Sequence, residues 1–132
     1  MNTFRKAMIG VVKVAMFIIP FIPLYVSRSL FFPFITGKAF LFRILVELML
    51  AAWIALIIFF KEYRPRKSLL LYALLAFLLV ITLASIFGVD PSRSFWSNFE
   101  RMEGLLAHLH LFAYFLVAAH VFEKKDWMIF FN

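Results

Sequence analysis

The chain has 132 residues, of which 65% are hydrophobic, and its formal net charge is +7. A soluble domain is closer to half apolar, so this composition excludes an ordinary soluble fold and indicates a membrane protein. The basic residues stand in short clusters at the ends of apolar runs, which favours topology signals over nucleic-acid binding. The chain contains no cysteine, which excludes disulfide and thiolate chemistry.

The first two apolar runs, residues 7–26 and 39–60, each have about the length needed to cross a bilayer. Lys13 lies inside the first run, and we expect its ammonium group to reach back to the surface. Arg43 and Glu47 share one helical face of the second run. A charge at mid-membrane costs about 2.5–3.5 kcal/mol. Glu47 is therefore expected to pair with Arg43, to be neutral, or to face a neighbouring helix.

The Arg43–Glu47 pair has two interpretations. Charges inside a membrane often mark a proton or ion path, but they also fix how helices pack. No acidic residue occurs in another predicted span to continue a proton relay, which favours a structural pair.

The remaining apolar runs cover residues 68–87, 105–122 and 127–132. His110 and Tyr114 share a face of the fourth run, where they form either an interhelical hydrogen bond or a proton-handling pair. The fifth run stops after about two helical turns and is too short to cross a membrane. We therefore expect the chain to be a fragment of a longer protein.

These runs predict an all-α, polytopic transmembrane helix bundle with four spans and the start of a fifth. The connections on the N-terminal side of the membrane carry eight lysines and arginines, against four on the other side. The positive-inside rule then places the N-terminus in the cytoplasm and the loop of residues 88–104 outside it. Residues 1–132 form one transmembrane region without a detectable repeat.

The loop of residues 88–104 predicts a short helix in the membrane interface. Asp90 and Pro91 suit the N-cap and the first helical position, and Gly104 suits the end of the segment. Phe95, with two further apolar residues one and two turns later, forms an apolar face of the kind that lies on a membrane.

Arg93 and Arg101 fall on the polar side of this predicted helix. A guanidinium group binds phosphate through two parallel hydrogen bonds, so both arginines are candidates for binding a lipid-linked diphosphate. The alternative is that each pairs with an acidic residue of the loop or contacts lipid headgroups.

No cofactor is predicted. The three histidines, His108, His110 and His120, have no cysteine or carboxylate nearby at zinc-ligand spacing. The sequence also has no Gly-rich phosphate loop and no Ser-His-Asp set.

Two stretches carry a resemblance to a known family. FFPFITGKAFLFRILVEL precedes and enters the second run, and GVDPSRSFWSNFERMEGL follows the third. The second contains the spaced set Ser94, Trp96, Glu100, Arg101, Met102, Glu103, Gly104 and Leu105. Together they resemble the N-terminal part of bacterial O-antigen ligase-family proteins over residues 30–106.

The resemblance implies a multi-span glycosyltransferase or glycan polymerase of the bacterial inner membrane. Such enzymes move a glycan from an undecaprenyl diphosphate carrier to an acceptor at the periplasmic face, without a nucleotide sugar and, for the ligases, without a metal. It implies that Arg101, supported by Arg93, holds the carrier's diphosphate. The family's essential arginines and histidine lie largely in a later periplasmic loop, so no catalytic base is assigned here and the fragment alone is expected to be inactive.

The expected partners are membrane lipid, the lipid-linked glycan and the remaining helices of a longer chain. Two other classes stay open. A small membrane scaffold or accessory subunit would have a chain that ends near Asn132 and a partner that completes the fifth helix. A transporter fragment would use Lys13, Arg43 and Glu47 as pathway charges, although its spans lack the interrupted midplane helices of many transporters.

Overall fold

The computed structural model describes residues 2–26, 35–98 and 103–131, and within these ranges it contains helices and no strand. The α-helices are α1 (Asn2–Ile18), α2 (Thr36–Phe59), α3 (Leu69–Ile86), α4 (Pro91–Trp96), α5 (Leu105–Val121) and α6 (Lys124–Phe131). Two short 3-10 helices follow α1 and α2, at Ile19–Leu24 and Lys61–Tyr63.

Three helical segments of the described chain are long and apolar enough to cross a membrane: Asn2–Leu24, Thr36–Phe59 and Leu69–Ile86. Helix α5 is apolar but shorter, with 17 residues. At 1.5 Å per residue it is about 26 Å long, against a hydrocarbon core of about 30 Å. Within the described ranges the chain is thus an all-α bundle, and its long apolar helices indicate a membrane protein. The number of spans and their orientation stay predictions.

The two prolines at the end of α1 explain where that helix changes. Pro20 and Pro23 have no N–H to donate, and the chain continues as a 3-10 helix from Ile19 to Leu24. The first helical segment begins at Asn2 and ends at Leu24, whereas the predicted span covers residues 7–26. The other helices lie close to the predicted runs, although α6 begins at Lys124, before the predicted start at residue 127.

The core is a seam between α1, α2 and α5. On α2, Met49, Ala52, Trp53 and Leu56 are buried at the spacing of one helical face. Small residues on the neighbouring helices, such as Ala118, let the backbones approach closely, which is how membrane helices pack without a hydrophobic driving force. The remaining members of the seam are Val12, Ala15, Met16, Val117, Val121 and Phe122.

Helix α3 lies at the edge of this seam. It contacts α4 and α5, and Leu78 is its only buried residue. Most of its side chains are exposed, and apolar residues lie on every face of the helix. Both properties are expected of a helix in contact with lipid.

Contacts between α1 and α2 define two ends of the bundle. At the basic end, Arg5 forms an ion pair with Glu62 at 2.8 Å, and the Phe4 and Phe59 rings lie 5.6 Å apart. The opposite end, here the cavity end, brings together the 3-10 helix after α1 and the first turns of α2 and α5.

Lys13 has a partner within the bundle, whereas the sequence predicts that its ammonium group reaches back to the membrane surface. Its ammonium group lies 2.8 Å from the carboxylate of Asp126. Asp126 also accepts a hydrogen bond of 2.9 Å from the N–H of Glu123, which caps the first turn of α6. The ion pair thus fastens α6 to α1.

Burial by itself raises the pKa of the Asp126 carboxyl group. The hydrogen bonds from Lys13 and Glu123, together with the charges of Lys13 and Lys125, outweigh this effect and hold the pKa below its ordinary value. An aspartate with a lowered pKa stabilises the folded state above its unfolded-state pKa of about 4 and loses that contribution as the pH falls through the folded-state value.

We expect Asp126→Asn to lower the free energy of unfolding by about 3 kcal/mol at pH 7, because it leaves the Lys13 charge without its partner. The difference from wild type should shrink as the pH falls below about 4. Unfolding in detergent micelles, followed by circular dichroism across this pH range, measures both effects. The matched control is Glu62→Gln, which removes an exposed ion pair and should cost at most about 1 kcal/mol. An Asp126→Asn loss that stays constant in acid would contradict this account.

Candidate functional site

A cavity of about 710 Å³ opens at the cavity end of the bundle. Its walls are mostly apolar, and Ile22, Phe42 and Leu111 are examples from three different helical segments. This volume lies in the range of about 300–1,000 Å³ that is usual for small-ligand sites. Its polar lining residues are Lys38, Arg43, Glu103, His108 and His110.

The α2 contribution to the cavity follows from helical spacing. Lys38 and Phe42 are one turn apart on α2, and Arg43 lies next to them on the same side. Arg43 is buried, with 9% of its surface exposed, whereas Lys38 is only partly buried. Two cationic side chains therefore enter the cavity from one helix, at different depths.

Glu47 and Arg43 attract each other electrostatically, as predicted for a pair on one helical face. The carboxylate of Glu47 also lies 3.2 Å from Nε2 of His110 on α5. The polar contact thus links two helices, which is one of the alternatives left open for Glu47, and His110 is the partner that the sequence did not identify. It also gives Glu47 a titratable partner in another apolar helix.

The proton arrangement of His110 follows from its two contacts. Its Nδ1 lies 2.8 Å from the carbonyl oxygen of Leu106, which only accepts, so Nδ1 carries a proton. The Nε2 contact with Glu47 then has two forms: an imidazolium donating to a carboxylate, or a neutral imidazole accepting from a protonated carboxyl group.

Of the two interpretations of His110 and Tyr114, the structure shows an interhelical hydrogen bond for His110. The side-chain partner of His110 is Glu47, and the Tyr114 ring lies 6.1 Å from the ring of Phe42. His108 lines the cavity and its Nδ1 lies 3.2 Å from the carbonyl oxygen of Gly104, so its Nε2 is the nitrogen left for other contacts.

Arg93 lies apart from the cavity. Its guanidinium group donates to the side-chain oxygen of Asn98 at 3.2 Å, within the same loop, and it is not among the cavity's lining residues. None of the acidic residues proposed as its alternative partner forms an ion pair with it in the described ranges. Arg101 lies outside the described residues, so its predicted role stays a prediction.

The helix of the loop begins as predicted and ends earlier. The Asp90 side chain accepts from the N–H of Arg93 at 3.0 Å, and Pro91 takes the first helical position. The helix stops at Trp96, because Ser97 adopts a left-handed φ of 63°. The predicted apolar face would have needed a helix that continues past residue 98, and its later members lie outside the described residues.

Gly104 explains part of the spaced set of residues in this loop. A Cβ atom at Gly104 would overlap the backbone carbonyl oxygens of Ser94 and Phe95. The absence of a side chain thus lets the start of α5 rest directly on α4, and Leu105 is buried beside it.

Sequence reasoning missed Lys38 and Glu103 as site residues. Lys38 was counted as a topology signal, although residues 38, 39, 42 and 43 form one helical face that a periodicity analysis would have detected. Glu103 had no such signal, because its position depends on how the loop returns to α5.

No group of three histidine or acidic side chains within residues 2–26, 35–98 and 103–131 is arranged to hold a metal ion. No protein-family model, no curated protein and no solved structure matches this chain. The geometry of the cavity is therefore the main structural guide to function.

We expect Gly104→Ala to destabilise the fold by about 1–3 kcal/mol, because the methyl group forces α4 away from α5. Gly10→Ala is the matched control, since nothing lies within 4 Å of a Cβ atom at that position of α1. It should be neutral or stabilising by up to about 1 kcal/mol through helix propensity. Thermal unfolding in detergent compares the two. Equal stability of both variants would contradict the close contact at Gly104.

Proposed function

We propose that this chain is the N-terminal membrane segment of an O-antigen ligase-like glycosyltransferase of the bacterial inner membrane. The enzyme would move a glycan from an undecaprenyl diphosphate carrier to an acceptor at the periplasmic face. The observation that carries the proposal is the cavity, whose apolar walls enclose two cations, a carboxylate and two histidines.

The lining of the cavity matches the three parts of such a substrate. Apolar walls suit the first isoprene units of the carrier, while the rest of the chain lies in the bilayer. Lys38 and Arg43 suit the diphosphate, because charge-assisted hydrogen bonds to phosphate are strong. Glu103 suits the hydroxyl groups of the sugar, since a carboxylate only accepts hydrogen bonds.

The location of the cavity agrees with the resemblance. Glu103 belongs to the spaced residue set of the loop, and the cavity is on the side of the bundle that Lys and Arg counting assigns to the periplasm. Both motif-bearing stretches of the sequence thus meet at this end, one through Lys38 and Arg43 and the other through Glu103.

In the proposed reaction, an acceptor hydroxyl attacks the anomeric carbon of the glycan. The bond from that carbon to the diphosphate oxygen breaks, the diphosphate leaves with the electron pair, and the acceptor hydroxyl loses its proton to a base that the rest of the full-length protein would supply. Fixed cations near the leaving group stabilise the developing charge. Lys38 and Arg43 would have this role, together with Arg101, and no residue of this chain is assigned as the base.

We expect Lys38→Gln and Arg101→Ala to lower glycan transfer about tenfold each, the effect of losing roughly 1.4 kcal/mol of phosphate binding. Transfer is measured in cells that produce the full-length protein with each substitution, and immunoblots of membranes check that insertion is unchanged. Lys61→Gln, a lysine of the basic end, is the control and should transfer at the wild-type rate. Wild-type transfer by both test variants would refute the proposal.

The Glu47–His110 contact favours a second candidate, a proton-coupled transporter. The sequence offered no partner in another span to continue a relay from Glu47, and His110 provides one within hydrogen-bond distance. Arg43 would then set the charge balance of the path.

The two candidates differ in the behaviour of Glu47→Gln. A transporter would lose proton-coupled uptake, because the amide does not titrate, whereas a glycosyltransferase would retain transfer within a few-fold. Proton flux into vesicles containing the purified protein, measured with a pH-sensitive dye, tests this directly. We expect no flux from either wild type or the variant, and flux that Glu47→Gln abolishes would favour the transporter.

A further inference from the structure

Helix α5 ends short of α2 at the basic end of the bundle. The His120 ring, in the last turn of α5, lies 5.8 Å from the Trp53 ring. Helix α2 continues from Trp53 to Phe59, which adds about 9 Å of helix. The recess leaves a cleft of about 490 Å³ between the end of α5 and the connection from α2 to α3.

Specific hydrogen bonds hold the walls of this cleft. The indole N–H of Trp53 donates to the carbonyl oxygen of Tyr63 at 3.1 Å. The backbone N–H of Arg66 donates to Nε2 of His120 at 3.1 Å, and Nδ1 of His120 contacts the carbonyl oxygen of Leu116 at 2.7 Å. The connection is therefore tied to α2 and α5 by its backbone, which leaves the Arg66 side chain available at the cleft.

The cleft combines an apolar floor with a polar mouth. Leu70, Leu71 and Phe115 supply apolar surface from α3 and α5. Ser68 lies at the mouth and caps α3 by accepting from the N–H of Leu71 at 3.1 Å, so the positive end of the α3 dipole also faces this region.

Two arginines and two glutamates line the mouth of the cleft, and they differ in their partners. Arg5 forms an ion pair with Glu62. The other two are Arg66 and Glu123. In the described ranges, no carboxylate lies within ion-pair distance of the Arg66 guanidinium group. The other cations of this end add a positive field around it, and they are Lys6, Lys61, Arg64, Lys67, Lys124 and Lys125.

We propose that this cleft binds an anionic phospholipid, with the Arg66 guanidinium group on the phosphate and the acyl chains over Leu70, Leu71 and Phe115. A guanidinium fork binds two phosphate oxygens at once, and basic pockets between membrane helices bind acidic headgroups. The apolar floor distinguishes a lipid from a free phosphate, which would gain nothing from those three side chains. The site is at the opposite end from the cavity and does not depend on the function proposed above.

Native mass spectrometry of the purified chain in detergent tests this with phosphatidylglycerol and phosphatidylcholine of the same acyl chains. We expect phosphatidylglycerol to bind about tenfold more tightly. Arg66→Gln should remove most of that preference, and Arg66→Lys should keep part of it. The matched control is Arg64→Gln, which removes an equal charge two residues away that does not line the cleft, and it should keep the preference.

Three results would overturn the proposal. Equal binding of the two lipids would remove the headgroup preference. Equal losses in Arg64→Gln and Arg66→Gln would indicate a diffuse basic surface. Displacement of the lipid by inorganic phosphate would indicate an anion site without a need for acyl chains. Helix content and gel-filtration profile, measured for each variant, show that the comparison is between folded proteins.

Discussion

Close packing against helix α2 is the constraint on which the rest of the structure depends. One face of α2, from Met49 to Leu56, is buried against both α1 and α5. Lipid is as apolar as these side chains, so the seam is stabilised by dispersion contacts and shape instead of by exclusion of water. The same helix continues toward the cavity end with Glu47, Arg43 and Lys38 in successive turns. The packing that fixes α2 therefore also fixes the polar side chains of the candidate site.

Differences in helix length shape both ends of the bundle. Helix α2 has 24 residues and α5 has 17, so the two cannot end together at both sides. The recess at the basic end forms where α5 stops beside Trp53. At the cavity end, the prolines after α1 replace an α-helical wall with a 3-10 helix, and the cavity lies between it, α2 and α5. The cleft thus follows from the shorter length of α5, and the cavity follows from the two prolines after α1.

The sequence predicted the positions of the helices well, but it did not predict which faces of the helices contact each other. Apolar runs bounded by charged turns locate a membrane helix, and Asp90 with Pro91 locates the start of α4. Helices α3 and α5 are apolar on every side, so periodicity does not indicate which face is buried. That is why the spacing of His110 and Tyr114 on α5 does not indicate that His110 contacts Glu47 on α2.

Local backbone geometry also limited what could be predicted from the sequence. The loop helix was predicted to continue beyond residue 98, because its apolar residues are correctly spaced for a longer helix. Ser97 leaves the helical region with a positive φ, and Gly104 is needed for a close contact with a segment ten residues earlier. The spacing of the apolar residues predicts neither the end of the helix at Ser97 nor the close contact at Gly104. The early end of the helix also explains the contact of Arg93, because its guanidinium group donates to Asn98 just past the last helical turn.

The polar contacts between the helices supply the register that the apolar surfaces lack. Smooth apolar helices would slide or rotate against each other at little cost, whereas an unpaired charge in an apolar setting is expensive. Lys13 with Asp126 fixes α1 against α6, and Glu47 with His110 fixes α2 against α5. Each contact joins two helices, so a shift of one helical turn, about 5.4 Å, would break it. The few charged groups of the apolar helices thus define how the helices are assembled.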